Sequence, residues 1–373
     1  MRHRCAKLAG VDSNQREGPS MDQTSKLRIG MDLAKNVFQV HAVRCEAGEP
    51  VAFLRRLKRS QVEAFLGKLP PSLIGMEACG SAQSWARMAQ KYGHEVRLMP
   101  PAYVKAYVKR NKTDANDAAA ICEAMARPTM RFVPVKSEAD QAMVMLHRTR
   151  ASFVEKRTTA VNQLRAAFAE FGTVAPVGGR GFSDLLALIK TGSELFKSLP
   201  AALRLVLEEL ARQWVHVDMS VRCFDAGIAA ALKTNARAER LTHIPVVGPI
   251  GASALDAMLP NPQVFRCGRD FAAWIGLTPR EESSGNTTRL GSITKKGDGY
   301  LRRLLVLGAT ARLALIRRGR AKNVSAWELK MAAHPKRKLA AVALANKTAR
   351  IAWAMLARNE DYRVPGAAVA AAA

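Results

Sequence analysis

Acidic residues are scarce in this chain. Only 31 Asp and Glu stand against 58 Lys and Arg, leaving a formal net charge of +27 over 373 residues. A soluble protein with that balance pairs with a polyanion, so nucleic acid is the leading partner class. Long apolar runs are missing as well. None reaches the roughly 18 residues that a membrane-spanning helix needs, so no membrane partner is expected. The first residues are polar and charged through Arg28, which does not fit a secretory signal peptide. Paired cysteines are also absent. Cys5, Cys45, Cys79, Cys122, Cys223 and Cys267 are scattered without a CxxC spacing. That pattern argues against a zinc ribbon or a disulfide framework and leaves buried, reduced thiols as the expectation. The histidines are dispersed with no HxxxH pair, and the five tryptophans are expected in cores rather than as stacking platforms.

What is present divides the chain. Residues 1–25 are expected to be a disordered leader, with Met21 an alternative start, and residues 359–373 a low-complexity tail. Between 26 and 135, strand and helix signals alternate, which predicts an α/β layer. "KLRIGMDLAKNVFQV" predicts a hairpin turning near Ala34–Asn36, and Pro50–Leu57 a third strand. "SLIGMEACG" is a short apolar strand ending in Glu77. "KTDANDAAAICEAMARP" is a helix capped by Thr113 or Asp114 and closed before Pro128. From 136 to 238 strand signals vanish. Two long helices, about 140–171 and 183–238, separated by the Gly-rich "VAPVGGRGF", predict an antiparallel helical arm or an ordinary bundle. From 239 to 358, "LTHIPVVGPIGASAL" predicts a helical hairpin, followed by a polar loop and two basic helices.

Four carboxylates form a pattern. Asp32 follows the apolar "IGM", Glu77 ends "LIGME", and Asp114 and Asp117 sit three apart on one face of a helix start. Singly, each reads as a turn residue or a cap. Together, acids at strand ends and a helix start converge at one rim of a sheet, where their repulsion calls for cations. Two Mg2+ ions, or Mn2+ in their place, suit an all-oxygen donor set able to clamp the attacking and leaving oxygens of a phosphodiester.

The segment "REESSGNTTRLGSITKKGDGYLRRLLV" raises a second question. It carries Arg280, Arg289, Lys295, Lys296, Arg302 and Arg303 around a Ser-Ser-Gly loop. A loop requires glycine but not that much positive charge, so the expectation is a phosphate backbone held by these six side chains.

These motifs resemble a known family. "IGMDLAKNVFQV", "GMEACGSAQSWA" and "KTDANDAAAICEA" resemble the RuvC-like (RNase H-like) N-terminal domain of the DEDD-type insertion-sequence transposases. "LTHIPVVGPIGASAL" and "FAAWIGLTPREESSGNTTRLGSITKKGDGYLRRLLVLGA" resemble their C-terminal serine transposase domain. The resemblance spans roughly residues 27–358. It implies a RuvC-like domain at 26–135, a helical coiled-coil arm at 136–238 and a mostly helical transposase domain at 239–358, α/β followed by all-α. It implies Asp32, Glu77, Asp114 and Asp117 as metal ligands, and Ser284, the serine before Gly285, as nucleophile, with Ser283 its rival. It further implies DNA ends and target as substrates, an element-encoded bridge RNA as guide, and a homo-oligomer, dimer or tetramer, in a bacterial cytoplasm near the nucleoid. Asn286-Thr287-Thr288 departs from the more basic or Gly-rich run common in the family, which bears on local loop contacts. Two other readings stay open: a metal-dependent junction nuclease that uses water, and a non-enzymatic nucleic-acid binder.

Overall fold

Strand β1, Leu27–Asp32, is buried on both faces, with Ile29 and Met31 fully inaccessible. It lies at the centre of a five-stranded sheet of order β3-β2-β1-β4-β5. The computed structural model describes residues 27–45, 49–108, 113–283 and 289–363. The chain divides after Val135 into two compact units.

In the first unit, β1 runs antiparallel to β2 (Val37–Arg44), which runs antiparallel to β3 (Val51–Lys58). Helix α1 (Val62–Lys68) leads to β4 (Leu73–Glu77), parallel to β1. Helix α2 (Ala82–Lys91) leads to β5 (Glu95–Met99), parallel to β4. A short α3 (Pro101–Val104) and then α4 (Asp114–Met125) follow. Phe38, Ile74, Met76 and Leu98 fill the core on one side, with Trp85 edge-on to Phe38 at 5.0 Å. Helix α4 lies directly on β1. Its buried Ala118, Ala120 and Ala124 present little side chain, and Gly30 of β1 presents none. A Cβ at Gly30 would stand 2.1 Å from the Ala118 carbonyl oxygen, so glycine is what allows helix and strand to approach this closely.

Among its described residues, the second unit is helical apart from one small hairpin. Helix α5 (Glu138–Glu170) is followed by α6 (Gly179–Thr191), α7 (Glu194–Ser198) and α8 (Ala201–Lys233). Then come α9 (Ala236–Leu241), α10 (Pro249–Met258) and α11 (Gly268–Ile275). Strands β6 (Pro279–Glu281) and β7 (Leu290–Ile293) precede α12 (Gly299–Arg317), α13 (Ala326–Ala333) and α14 (Arg337–Arg358). Helices α5 and α8 run antiparallel. Arg150 pairs with Asp225 and Arg157 with Asp218, and Phe153 meets Phe224 edge-on at 5.3 Å, so position rises on one helix as it falls on the other. The single second helix expected over 183–238 is not formed. Gly192 takes a left-handed conformation that ends α6, Pro200 caps α8, and Asn235 caps α9 with its side chain. The breaks fold α6 and α7 back so that Phe182, Leu186 and Phe196 close a small core over Leu164 and Phe168 of α5.

Helix α5 also enters the main core of this unit through His147. Its imidazole is fully buried, 3.1 Å from the Tyr300 hydroxyl and 3.0 Å from Ser253 Oγ. Burial, with the nearby Arg150 charge, pushes its pKa down to about 4. The thiols differ from expectation. Cys122 is buried, but Cys45, Cys79, Cys223 and Cys267 are exposed, and all five are free. The tryptophans differ too: Trp85 is core, whereas Trp274 is 38% exposed.

Candidate active site

The first candidate centre forms where β1 ends and α4 begins. Thr113 caps α4, its Oγ1 accepting the Asn116 amide at 3.3 Å. The first turn then carries Asp114 and Asp117 on one side, as their spacing requires. The close approach at Gly30 brings that turn to the end of β1, where Asp32 lies. The result is a cluster in which one carboxylate oxygen from each of Asp32, Asp114 and Asp117 lies within 4.8 Å of the others. Asp32 and Asp117 are half-buried and Asp114 is exposed. Glu77 is outside that set. It ends β4, one step beyond the Met31–Met76 register pair of two parallel strands, so its backbone is next to that of Asp32. The donors are all hard oxygens with neither thiolate nor imidazole among them. That chemistry fits Mg2+ or Mn2+ and fits zinc poorly.

The second candidate centre is the Ser-Ser-Gly segment, which the sequence presents as a loop. On either side of it, β6 and β7 pair as a short antiparallel hairpin, at Pro279–Ile293 and Glu281–Leu290. Ser284 itself, with Gly285, Asn286, Thr287 and Thr288, lies outside the described residues. Ser283 precedes it with its hydroxyl engaged. Its Oγ donates to Glu281 Oε1 at 3.0 Å and accepts the Arg289 amide at 3.3 Å. The base of the hairpin is tightly held. Gly276 and Gly297 both have positive φ, and a Cβ on either would strike the backbone opposite, at 2.2 Å from Lys296 O and 1.7 Å from Trp274 O. Asp298 caps α12 through the Leu301 amide at 2.8 Å.

The basic residues around this loop separate into two groups. Arg280, Arg289, Lys295 and Lys296 are exposed beside the hairpin. Arg302 is employed differently from expectation. Its Nη1 donates to the Ile275 carbonyl at 2.6 Å and to the Lys296 carbonyl at 3.2 Å, bracing the hairpin against α11. Arg303 lies over the Tyr300 ring at 5.7 Å and 3.8 Å from Glu155, still half exposed. The Arg302 role was not visible in the sequence, because the Ile275 and Lys296 carbonyls come from other segments, whereas Arg303 and Tyr300 are i, i+3 neighbours on α12. The link from Ser283 to Glu281 was equally hidden, because β6 ends at Glu281 and Ser283 lies beyond the strand's alternation.

Both centres lie within segments that match known families. A model described as "Transposase IS116/IS110/IS902 family" matches residues 238–324, and a transposase model of the DEDD type matches residues 29–172. A putative transposase of Sinorhizobium fredii is 42% identical, over 97% of this chain and 92% of its own length. A probable family 20 transposase of Pseudomonas aeruginosa is 45% identical, over 91% of this chain and 99% of its own. The chain belongs to the IS116/IS110/IS902 transposase family. The transposase for insertion sequence element IS1328 of Yersinia enterocolitica is 37% identical, over 90% of this chain and 98% of its own. Asp32, Glu77, Asp114 and Asp117 fall within residues 29–172, and the hairpin with its basic flank within residues 238–324. Among the described residues, no helix is long and apolar enough to cross a membrane.

Proposed function

We propose that this transposase cuts and rejoins DNA through a covalent phosphoserine at Ser284, with divalent metal held by the acids of the first unit. The observation that carries the reading is the gathering of Asp32, Asp114 and Asp117 within 4.8 Å in a chain of net charge +27. Three carboxylates so close repel one another, and a polyanionic substrate would add to that repulsion unless cations intervene. Glu77, beside Asp32 on the neighbouring strand, completes the donor set. These acids would hold Mg2+, which would supply charge neutralisation and activation of an oxygen nucleophile when bound. The mixed sheet with its acids at strand ends is then an RNase H-like domain, and the α5–α8 pair a coiled-coil arm.

The chain's own residues do the rest. Ser284 Oγ bonds to the scissile phosphorus as the bond to the 3′ oxygen breaks. The serine gives up its proton, and the departing oxygen gains one and leaves as a 3′-hydroxyl. Because the phosphodiester is kept as a phosphoserine, a 3′-hydroxyl can later attack it and reseal a strand without ATP. Commitment of the Ser283 hydroxyl to Glu281 supports giving the attack to Ser284. The exposed Arg280, Arg289, Lys295 and Lys296 hold the phosphate backbone and set its register. Target choice by pairing with an element-encoded RNA, and completion of the site in a homo-oligomer, belong to the same reading.

The test is a covalent-adduct assay. Protein, candidate RNA and labelled element-end DNA are incubated with Mg2+ and then denatured. Adduct in wild type and in Ser283→Ala, but none in Ser284→Ala or Asp32→Ala, is the expected result. Cutting that survives Ser284→Ala without adduct would replace this mechanism with water-based nuclease chemistry. Adduct formation that is indifferent to RNA would remove the guide.

A further inference from the structure

A groove of about 670 Å³ lies between α11, α13 and α14. Arg269, Lys347, Arg350 and Arg358 line it, and the indoles of Trp327 and Trp353 form part of its wall. Lys347, Arg350 and Arg358 fall on one face of α14, in a row roughly 16 Å long at the helical rise. Among the described residues, no carboxylate lines the groove. Among the described residues none of these four cations forms an ion pair, whereas Arg266 nearby holds Asp270 at 2.9 Å and Arg312 holds Glu328 at 3.0 Å. Four uncompensated positive charges along one concavity repel, so the arrangement is costly until an anion enters. The rings are held in place. Trp353 Nε1 donates to the Pro262 carbonyl at 2.9 Å, and the Lys347 ammonium lies 4.4 Å from the Trp327 ring centre.

A row of cations beside flat apolar rings fits a strand whose bases are exposed. Phosphates meet the cations, and sugars or bases pack on the indoles, whereas a duplex hides its base faces. The groove is also coupled to the hairpin. At Gly268 a Cβ would lie 3.0 Å from Arg350 Cα, so the start of α11 is tight against α14, and α11 leads through Gly276–Thr278 into β6. We propose that this groove binds single-stranded DNA, namely the strand freed beside the cleavage point. The binding site stands on the geometry just given; only the origin of the strand rests on the proposed function.

The experiment measures binding of the full-length protein to a labelled single-stranded DNA oligonucleotide by anisotropy, across a salt series. Arg350→Gln/Arg358→Gln removes two phosphate partners. Arg318→Gln/Arg320→Gln removes the same charge from exposed positions outside the groove. The groove variant is expected to bind on the order of tenfold more weakly, with a log–log salt slope smaller by about 1.4. The control pair is expected to move affinity less than about twofold, and both variants to melt like wild type. Equal effects from the two pairs would overturn the proposal in favour of a general positive field. So would an RNA of the same sequence that binds tenfold tighter and loses that advantage in the groove variant. Ser284→Ala is expected to bind the oligonucleotide like wild type. A failed adduct assay with intact groove binding would therefore sink the serine mechanism alone.

Discussion

Gly30→Ala tests the joint between fold and chemistry. The added Cβ would meet the Ala118 carbonyl oxygen at 2.1 Å, the Cys122 amide nitrogen at 2.7 Å and Cys122 Cβ at 2.9 Å. Ordinary carbon contacts need about 3.5 Å. The first two neighbours are backbone atoms of α4, so no side chain can turn aside and the helix must retreat by more than about 1 Å. Overpacking of this kind costs up to about 3 kcal/mol, and the entropy that alanine removes from the unfolded chain returns under about 1. A net loss of roughly 2 kcal/mol lowers the melting temperature of the first unit by on the order of 10 °C. The same retreat carries Asp114 and Asp117 away from Asp32, in a set that spans only 4.8 Å. Calorimetric melting and Mn2+ titration read the two effects, with Mn2+ affinity expected to fall at least tenfold. Gly80→Ala is the control, because nothing lies within 4 Å of its would-be Cβ, and it is expected to change stability by less than about 1 kcal/mol. A Gly30→Ala protein with wild-type melting and wild-type Mn2+ affinity would refute the claim that this contact builds the cluster.

Mg2+ at a hundredfold excess over its dissociation constant is expected to stabilise the first unit by about 2.7 kcal/mol, and Asp117→Asn to abolish that shift; a metal-independent melting temperature in wild type would count against the site. His147 has a folded pKa of about 4, below its unfolded value near 6.5, so its contribution is full above pH 6.5 and lost as pH falls toward 4. Denaturant titrations at pH 7 and pH 5 are expected to differ by about 2 kcal/mol for this group, a difference that His147→Gln removes; the same pH dependence in the variant would locate the effect elsewhere. Arg312→Ala strands the buried Glu328 carboxylate and the carbonyls of Lys322 and Asn323, at an expected cost of about 3 kcal/mol or more. A loss under about 1 kcal/mol in urea unfolding would show that water replaces the guanidinium there.

The elements of the first unit were legible because each carries a local signal. Alternating apolar residues mark β1 and β2, Thr113 marks the start of α4, and Gly93 with positive φ follows α2. The arm was legible only in part. Its apolar spacing marks helix well, but Gly192 and Pro200 sit in a stretch whose composition is otherwise helical, and their effect is to divide it. The hairpin was missed outright. Its strands span Pro279–Glu281 and Leu290–Ile293, too short and too polar to show alternation, and their pairing is stabilised from outside by Arg302 and the two glycines at its base. From sequence Arg302 reads as a phosphate contact, because its charge is visible there and the carbonyls that take its hydrogen bonds are not.

By itself the sequence determined the excess of positive charge, the placement of four acids at element ends, and the family, since these depend on composition, local spacing and motif. Only the tertiary structure decided which acids actually meet. Asp32 and Asp114 are far apart along the chain, and they come together because Gly30 lets a helix rest on a strand. The same holds for the groove, where Arg269 joins a row from α14 across a contact that Gly268 permits. Spacing within one element is set by local backbone geometry and can be read directly. Proximity between elements is set by how closely their backbones approach, and at both places that distance depends on a missing side chain.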